Sequence, residues 1–506
     1  MPTTPRTRRW RRRRPERFDS RAPVSGIITC RGLPGRGIFS FPQRRSADIP
    51  APRPLARLLA LLSLLLLVAC VPTRPNLGLL YGSEDDDPAQ PPVIIIHGLT
   101  GSTLVDAETG KQFWPGSLGT LAFSDYRHLA QMSTEDREGE GLVAGDLMYD
   151  VAGVDFYGEL LQTLTKAGRM VRSVPGEPVG NQRRRFYVLA YDWRKDNLVA
   201  VRKLHAMIEQ VRRDYGDPQL RVDIIAHSNG GLITNYYLRY GPHDLPAEGP
   251  FTPWHEGDQR IRRVVMLGTP ALGAVTSLER LVYGTRVGLR MIPEEVMATF
   301  VTPFEALPHP RTRPIIDEDG KPLAIDLYDV RTWRERRWGV FSPVVAGRIR
   351  ESMPTPEAGE RALADVQAVF ARNLARGARM QAALSAPLPP LPRVEISTFG
   401  GDCEVTPGRA VLVSDANGGR LVFRPGQLPG GRNHRKLDFA RLMLEPGDGL
   451  VTRSSQTARR PPGVDPVRDD FHMLPVRASF FLCESHGRLT HNLHFQDNLL
   501  YFLLSR

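Results

Sequence analysis

Ser228 has the surroundings in this sequence most specific for chemistry. It lies in Ala226-His227-Ser228-Asn229-Gly230-Gly231, after the apolar run Val222 to Ala226 and before a helical pattern over Gly231 to Tyr240. A strand that passes straight into a helix through a serine turns so tightly that small residues must flank it, and the hydroxyl is thrust clear of the backbone. Ala226 stands at the first position of G-x-S-x-G, a small-for-small exchange that leaves the turn possible. A bare pentapeptide of this kind also occurs as an ordinary turn. The strand before it, the helix after it and the paired glycines point instead to a nucleophile elbow.

A serine alkoxide is too basic to form unaided, so a histidine must take the proton and an acid must orient that histidine, in the chain order Ser, Asp, His for this type of elbow. Three histidines crowd the C-terminal end: His486, His491 and His494. His486 directly follows the apolar run Ser479 to Cys483 and is the preferred base, whereas His491 and His494 already enter the last helix. For the acid, Asp402 follows the run Val394 to Phe399 and Asp448 sits on the Gly-rich stretch Pro446-Gly447-Asp448-Gly449. Either could be a turn aspartate bonding its own backbone, and context alone leaves the two open. A developing oxyanion needs backbone donors. The N–H groups of Asn229 and of Leu99, in His97-Gly98-Leu99 after the first strand, are the expected pair.

These residues must be held by a sheet. Val93-Ile94-Ile95-Ile96 is a continuous β-branched run, as expected of a strand buried on both faces of a parallel sheet. Downstream, helical spacing (Phe156, Leu160, Leu161, Leu164; then Leu204, Ile208, Val211) alternates with strands at Phe186 to Ala190, Val222 to Ala226 and Val264 to Leu267. That alternation implies right-handed βαβ units and an α/β fold with a mostly parallel sheet covered by helices on both faces. It stops at Pro270. Residues 271–391 read as a cap inserted between the first part of the core, 91–270, and the second part, 392–506. The second part carries a hairpin around Asn417-Gly418-Gly419, the last strand, and a closing helix from Asn492 to Leu504.

The net charge of +12 over 506 residues invites a nucleic-acid reading. The first 69 residues, however, carry 15 arginines, no lysine and three acids, which is the whole excess, while the remainder balances 52 basic against 52 acidic residues. No broad cationic face is left for phosphates, and a nucleic-acid partner is excluded. Within the leader, residues 1–52 are Arg-rich and irregular, and residues 53–70 form a signal-like segment. Its run Leu55 to Val68 is too short to span a bilayer and ends in Leu67-Val68-Ala69-Cys70, which resembles a bacterial lipobox with Cys70 as the lipidated residue. An ordinary secretory signal is the alternative. Residues 71–90 read as a polar tether. Cys403 and Cys483 are the two cysteines of the body, at the ends of strands the fold would set side by side, and are expected to pair. No histidine or cysteine cluster has metal spacing, so neither metal nor cofactor is expected.

Taken together, HGLTGSTL with Phe113-Trp114-Pro115, Tyr191-Asp192-Trp193-Arg194, AHSNGG, LGTP, GDGLVTRSS and a late histidine resemble the lecithin:cholesterol acyltransferase family of α/β-hydrolases, phospholipid acyltransferases and phospholipases. The resemblance implies that the acid lies in the later GD-x-x-V loop, which favours Asp448. It also implies that the loop around Trp114 and the cap form a lid and acyl-chain pocket, with Trp114 touching substrate. His97 stands where the family often has proline.

The expectation is an enzyme acting on a lipid acyl ester through an acyl-enzyme on Ser228, either hydrolase or acyltransferase, tethered to a bacterial envelope membrane through Cys70. A general carboxylesterase or triacylglycerol lipase is the nearest alternative. A non-catalytic lipid-binding lipoprotein is the alternative from another class.

Overall fold

Val93 to Ile96 forms an inner strand of a seven-stranded sheet. The computed structural model describes residues 75–82, 90–132, 141–151, 153–386, 391, 393–415, 418–459 and 474–505. The leader, Cys70 and Asn417 lie outside the described residues. In chain order the strands are β1 (Val93–Ile96), β2 (Val171–Arg172), β3 (Arg185–Leu189), β4 (Val222–His227), β5 (Ile261–Leu267), β6 (Glu395–Gly401) and β7 (Val476–Leu482). Across the sheet they run β7-β6-β5-β4-β1-β3-β2, with every neighbouring pair parallel. The chain is therefore α/β.

Alternation along β1 explains why its four residues are all apolar. Ile94 and Ile96 pack with Leu204 and Ile208 of α1 (Asn197–Tyr215) and with Leu232 and Tyr236 of α2 (Asn229–Tyr240). Val93 and Ile95 face the opposite way, among Phe495, Leu499 and Leu503 of the closing helix, residues 493–504. Each such side chain contributes roughly 1.5–3 kcal/mol by leaving water, so both faces of the sheet need helices. α1 begins where the Asp196 side chain accepts the N–H of Leu198 and ends at Gly216, whose positive φ of 64° stops the helix.

Between β5 and β6 the chain leaves the sheet for a cap. It includes α3 (Val275–Tyr283) and the 30-residue α4 (Pro356–Ser385), the latter started by Thr355 and Pro356. The cap has its own core, in which Trp333 and Phe304 both pack edge-on against Phe370 at 4.8 Å and 4.9 Å.

The hairpin of Ala410–Val413 and Arg420–Val422 was placed by sequence within the second part of the core, but it packs on the cap. Ala410 pairs in parallel with Ile315, and Leu412, Leu421 and Phe423 join the Trp333 cluster. Val411 and Val413 point to another apolar cluster around Phe439 and Met443. All four residues of Ala410–Val413 are buried, so the strand must be covered on two sides, which one face of the sheet domain cannot supply. Cap material thus comes from both 271–391 and the stretch after β6.

The expected tether is also partly docked. Leu77–Tyr81 is a short helix with Leu77 buried in the core, and the Tyr81 hydroxyl donates to the Asp497 carboxylate at 2.7 Å on the closing helix.

Candidate active site

Ser228 stands between β4 and α2 with φ 54° and ψ −118°, a conformation that costs a non-glycine residue about 1–3 kcal/mol and persists only where the surroundings enforce it. They do so at close range. Its N–H donates to the Leu267 carbonyl at the end of β5 at 2.7 Å. A Cβ on Gly230 would come within 2.5 Å of the Ile96 carbonyl oxygen, and one on Gly231 within 2.0 Å of Thr269. The two glycines let the first turn of α2 press against the strand ends, which is the physical content of the elbow signature.

His486 and Asp448 meet this serine. Nε2 of His486 lies 2.9 Å from Ser228 Oγ, and Nδ1 lies 2.8 Å from Asp448 Oδ2. The backbone N–H of His486 also donates to the Asp448 carbonyl at 2.8 Å, so the loop that carries Asp448 positions the loop that carries His486. Asp448 is 1% exposed, and its two oxygens have separate tasks. Oδ1 accepts the N–H groups of Leu450 and Val451, the turn bonding anticipated for such an aspartate, while Oδ2 accepts from His486 and from the Gln456 side chain at 3.1 Å.

The other candidates lie elsewhere. Asp402 pairs with Arg453 at 3.1 Å near the surface, His491 pairs with Asp155 at 3.1 Å, and His494 is exposed on the closing helix. Gln456 was not anticipated. Its only signal was proximity to the GDGLVTRSS stretch.

Leu99 and Asn229 line one cleft with Ser228 and His486, roofed by Pro303 and Ala306 of the cap. Asn229 is the first residue of α2, so its N–H has no carbonyl one turn earlier to bond. The loop that carries Leu99 touches Ser228: a Cβ on Gly98 would stand 2.7 Å from Ser228 Cβ.

Two buried histidines frame the elbow. His97 stacks on Tyr191 at 4.1 Å, its Nδ1–H donates to the Gly98 carbonyl at 2.8 Å, and its Nε2 accepts the Tyr191 N–H at 3.2 Å. Those partners demand the neutral imidazole, and burial lowers its pKa from 6.5 to about 4. His227 is held far below the ordinary histidine range, first by burial and then by the neighbouring His486. Its Nδ1 accepts the hydroxyl of Tyr157 at 2.6 Å, and that hydroxyl accepts the N–H of Gly98 at 3.0 Å. Tyr157 was missed at the sequence level, because nothing in a lone tyrosine before a helix announces such a link.

Tyr191 to Arg194 buttress the site from behind. The Tyr191 hydroxyl donates to the His97 carbonyl and accepts from the Asn229 side chain, and Trp193 donates to the Ser102 carbonyl. Asp192 and Arg194 form a buried bidentate pair at 2.9 Å and 2.7 Å, and Arg194 also donates to the carbonyls of Leu129 and Leu142.

Trp114, expected to touch substrate, is not among the residues lining this cleft and is placed behind it. It is 4% exposed, packs edge-on against Trp193 at 5.2 Å, and donates its indole N–H to the Thr100 carbonyl. Pairing of Leu104 with Trp114 in a small antiparallel sheet sets the indole inward, under the loop that carries Leu99. Cys403 and Cys483 are joined in a disulfide, with Cα atoms 4.9 Å apart.

Residues 170–309, which include Tyr191 to Arg194, Ser228 and the end of β5, match the family model Lecithin:cholesterol acyltransferase. Over these residues the chain is similar to that family, and its fold is that of an α/β-hydrolase. The match supports an ester-acting hydrolase or acyltransferase. Among solved structures, a chain of the Tle4-Tli4 complex aligns over 82% of this chain and 98% of its own, at 15% identity and a TM-score of 0.48. Staphylococcus hyicus lipase aligns over 84% and 96%, at 14% identity and a TM-score of 0.34. No curated protein matches the chain. The matched family segment ends before Asp448 and His486, which join Ser228 through the tertiary geometry alone.

Proposed function

We propose that this α/β-hydrolase cleaves lipid acyl esters through an acyl-enzyme on Ser228. The observation that carries the reading is the unbroken chain Ser228 Oγ, His486 Nε2, His486 Nδ1, Asp448 Oδ2, with contacts of 2.9 Å and 2.8 Å, at the wall of the cleft. His486 Nε2 takes the Ser228 proton as Oγ attacks the ester carbonyl. Asp448 accepts the Nδ1–H and favours the imidazolium that results. The N–H groups of Asn229 and Leu99 receive the negative charge on the former carbonyl oxygen. The tetrahedral intermediate collapses, the leaving alcohol departs with the proton from His486, and the acyl group remains on Ser228. The acceptor, water or an alcohol, then gives its proton to His486 as it attacks the acyl carbon, and collapse of the second tetrahedral intermediate breaks the acyl–Oγ bond as His486 returns the proton to Ser228 Oγ.

Both halves use the same groups, so the acceptor alone distinguishes hydrolase from acyltransferase. The test incubates wild type and Ser228→Ala with phospholipid and triacylglycerol vesicles, with and without a long-chain alcohol, and reads products by mass spectrometry. Fatty acid or an alkyl ester from wild type only supports the reading. Bound lipid with no product from either protein replaces it with the carrier.

The same proposal attaches the chain to a bacterial envelope membrane by acylation of Cys70, on the support of Leu67-Val68-Ala69-Cys70. Labelling with a fatty-acid analogue, retained by wild type and lost in Cys70→Ser, tests it. Among the described residues no helix is long and apolar enough to cross a membrane.

A further inference from the structure

The roof of the cleft carries a cation that the acyl-transfer chemistry does not use. α3 is two-sided: Val275, Leu278, Leu281 and Val282 sink into the cap core, while Thr276, Ser277 and Arg280 line the cleft that holds Ser228 and His486. Thr276 fixes this face, because its hydroxyl donates to the Leu450 carbonyl at 3.0 Å, two residues beyond Asp448. Arg280 lies one turn further along the same face.

Among the described residues no carboxylate or carbonyl takes the Arg280 guanidinium. Its neighbour Glu279 is engaged elsewhere, with Arg424 at 3.2 Å. Burial lowers the pKa of Arg280, and Glu279 only partly opposes this. By contrast, Arg194 donates to Asp192, Arg262 to Asp223 and Arg263 to Glu395.

An arginine keeps its charge in a protein, and a partly desolvated guanidinium without a counter-charge is costly unless something completes it. Five donors in a planar fork match the oxygens of a phosphate. A glycerophospholipid whose ester carbonyl sits at Ser228 carries its phosphodiester only a few bonds away, whereas a triacylglycerol has no anionic group at all. From the shared cleft and the unpaired fork we infer that Arg280 binds the phosphodiester of a glycerophospholipid substrate and sets its preference over neutral glycerides. This rests on the acyl-ester reading of Ser228.

The experiment compares wild type, Ser228→Ala, Arg280→Met and Arg280→Lys on phosphatidylglycerol and on diacylglycerol with the same acyl chains, each dispersed in the same non-ionic micelles. Losing charge-assisted bonds should lower kcat/KM for phosphatidylglycerol by about tenfold to a hundredfold in Arg280→Met, with diacylglycerol within about twofold of wild type and partial recovery in Arg280→Lys. Equal losses on both lipids, or none on either, overturn the assignment. Inorganic phosphate added to the diacylglycerol assay tests a free anion as occupant: inhibition of wild type without a phosphatidylglycerol preference also overturns it. Absence of Ser228-dependent cleavage of either lipid is a failure of the acyl-ester reading itself. Cleavage with unchanged Arg280→Met ratios is a failure of the Arg280 assignment alone.

Discussion

The Tyr157 hydroxyl lies 2.6 Å from Nδ1 of His227 and accepts the N–H of Gly98 at 3.0 Å, so one phenol joins the residue before the nucleophile to the loop that carries Leu99. The link fixes a tautomer as well as a distance. Nδ1 of His227 accepts the hydrogen bond of the phenol, which places the ring hydrogen on Nε2. Burial keeps His227 neutral, so in the proposed reaction His486 would gain its charge without a second cation at a ring separation of 5.0 Å.

Removing that hydroxyl should loosen the oxyanion loop rather than empty the cleft. In Tyr157→Phe, kcat should fall about tenfold with KM nearly unchanged, since a displaced donor weakens transition-state binding selectively. A rise in KM with constant kcat would show that Tyr157 shapes the substrate site instead.

The two aspartates give opposite expectations. Asp448→Asn should lower kcat by roughly 10³–10⁴, because the amide no longer enforces the Nδ1–H tautomer of His486. Asp402→Asn breaks only a pair near the surface with Arg453, worth about 0–1 kcal/mol, and should leave kcat intact. Steady-state rates on one soluble ester decide it, and a dominant loss in Asp402→Asn would reverse the assignment.

The histidines divide likewise. His486→Ala should abolish turnover as fully as Ser228→Ala, with no further loss in the double variant, since groups acting as a unit are not additive. His491→Ala removes a contact with Asp155 and should be visible in Tm rather than in kcat.

Stability should fall on mild acidification. The folded pKa of His97 is about 4 against 6.5 in the ordinary state, and burial brings His309 to about 4 as well. Between those values the unfolded chain binds more protons, so stability is complete above pH 6.5 and is lost as pH falls toward 4. Each such histidine accounts for about 2 kcal/mol between about pH 7.5 and about pH 5. Urea unfolding at the two pH values measures the sum, and a flat profile would contradict neutral burial.

The Cys403–Cys483 bridge spans 80 residues and ties the ends of β6 and β7 beside the loops of Asp448 and His486. Loop closure of that size stabilises by about 2–4 kcal/mol. Replacing both cysteines with serine should lower Tm, and reductant should do the same to wild type while leaving the double variant unaffected.

Local pattern determined much of this protein. The β-branched run of Val93 to Ile96, the strand-serine-glycine-helix succession at Ser228 and the helical spacing of Leu204, Ile208 and Val211 each reflect constraints within one element. A reader of the sequence alone can therefore recover the sheet, the elbow and a short list of histidines. Tertiary contact decided the rest. Ser228 and His486 are 258 residues apart and Tyr157 and His227 are 70 apart, distances at which no local pattern records the meeting. Asp402 and Asp448 have equivalent turn contexts, so local pattern leaves them open; the family resemblance favours Asp448, and in the structure it is Asp448 that meets Nδ1 of His486. Trp114 is as compatible with a lid as with a core until its pairing with Leu104 sets the direction of the ring. The hairpin at Ala410 looked like sheet continuation because its two apolar faces are visible in sequence while the cap that covers them is not. Arg280, one arginine in a helix, becomes distinctive only when its neighbours are seen to leave it without a counter-charge.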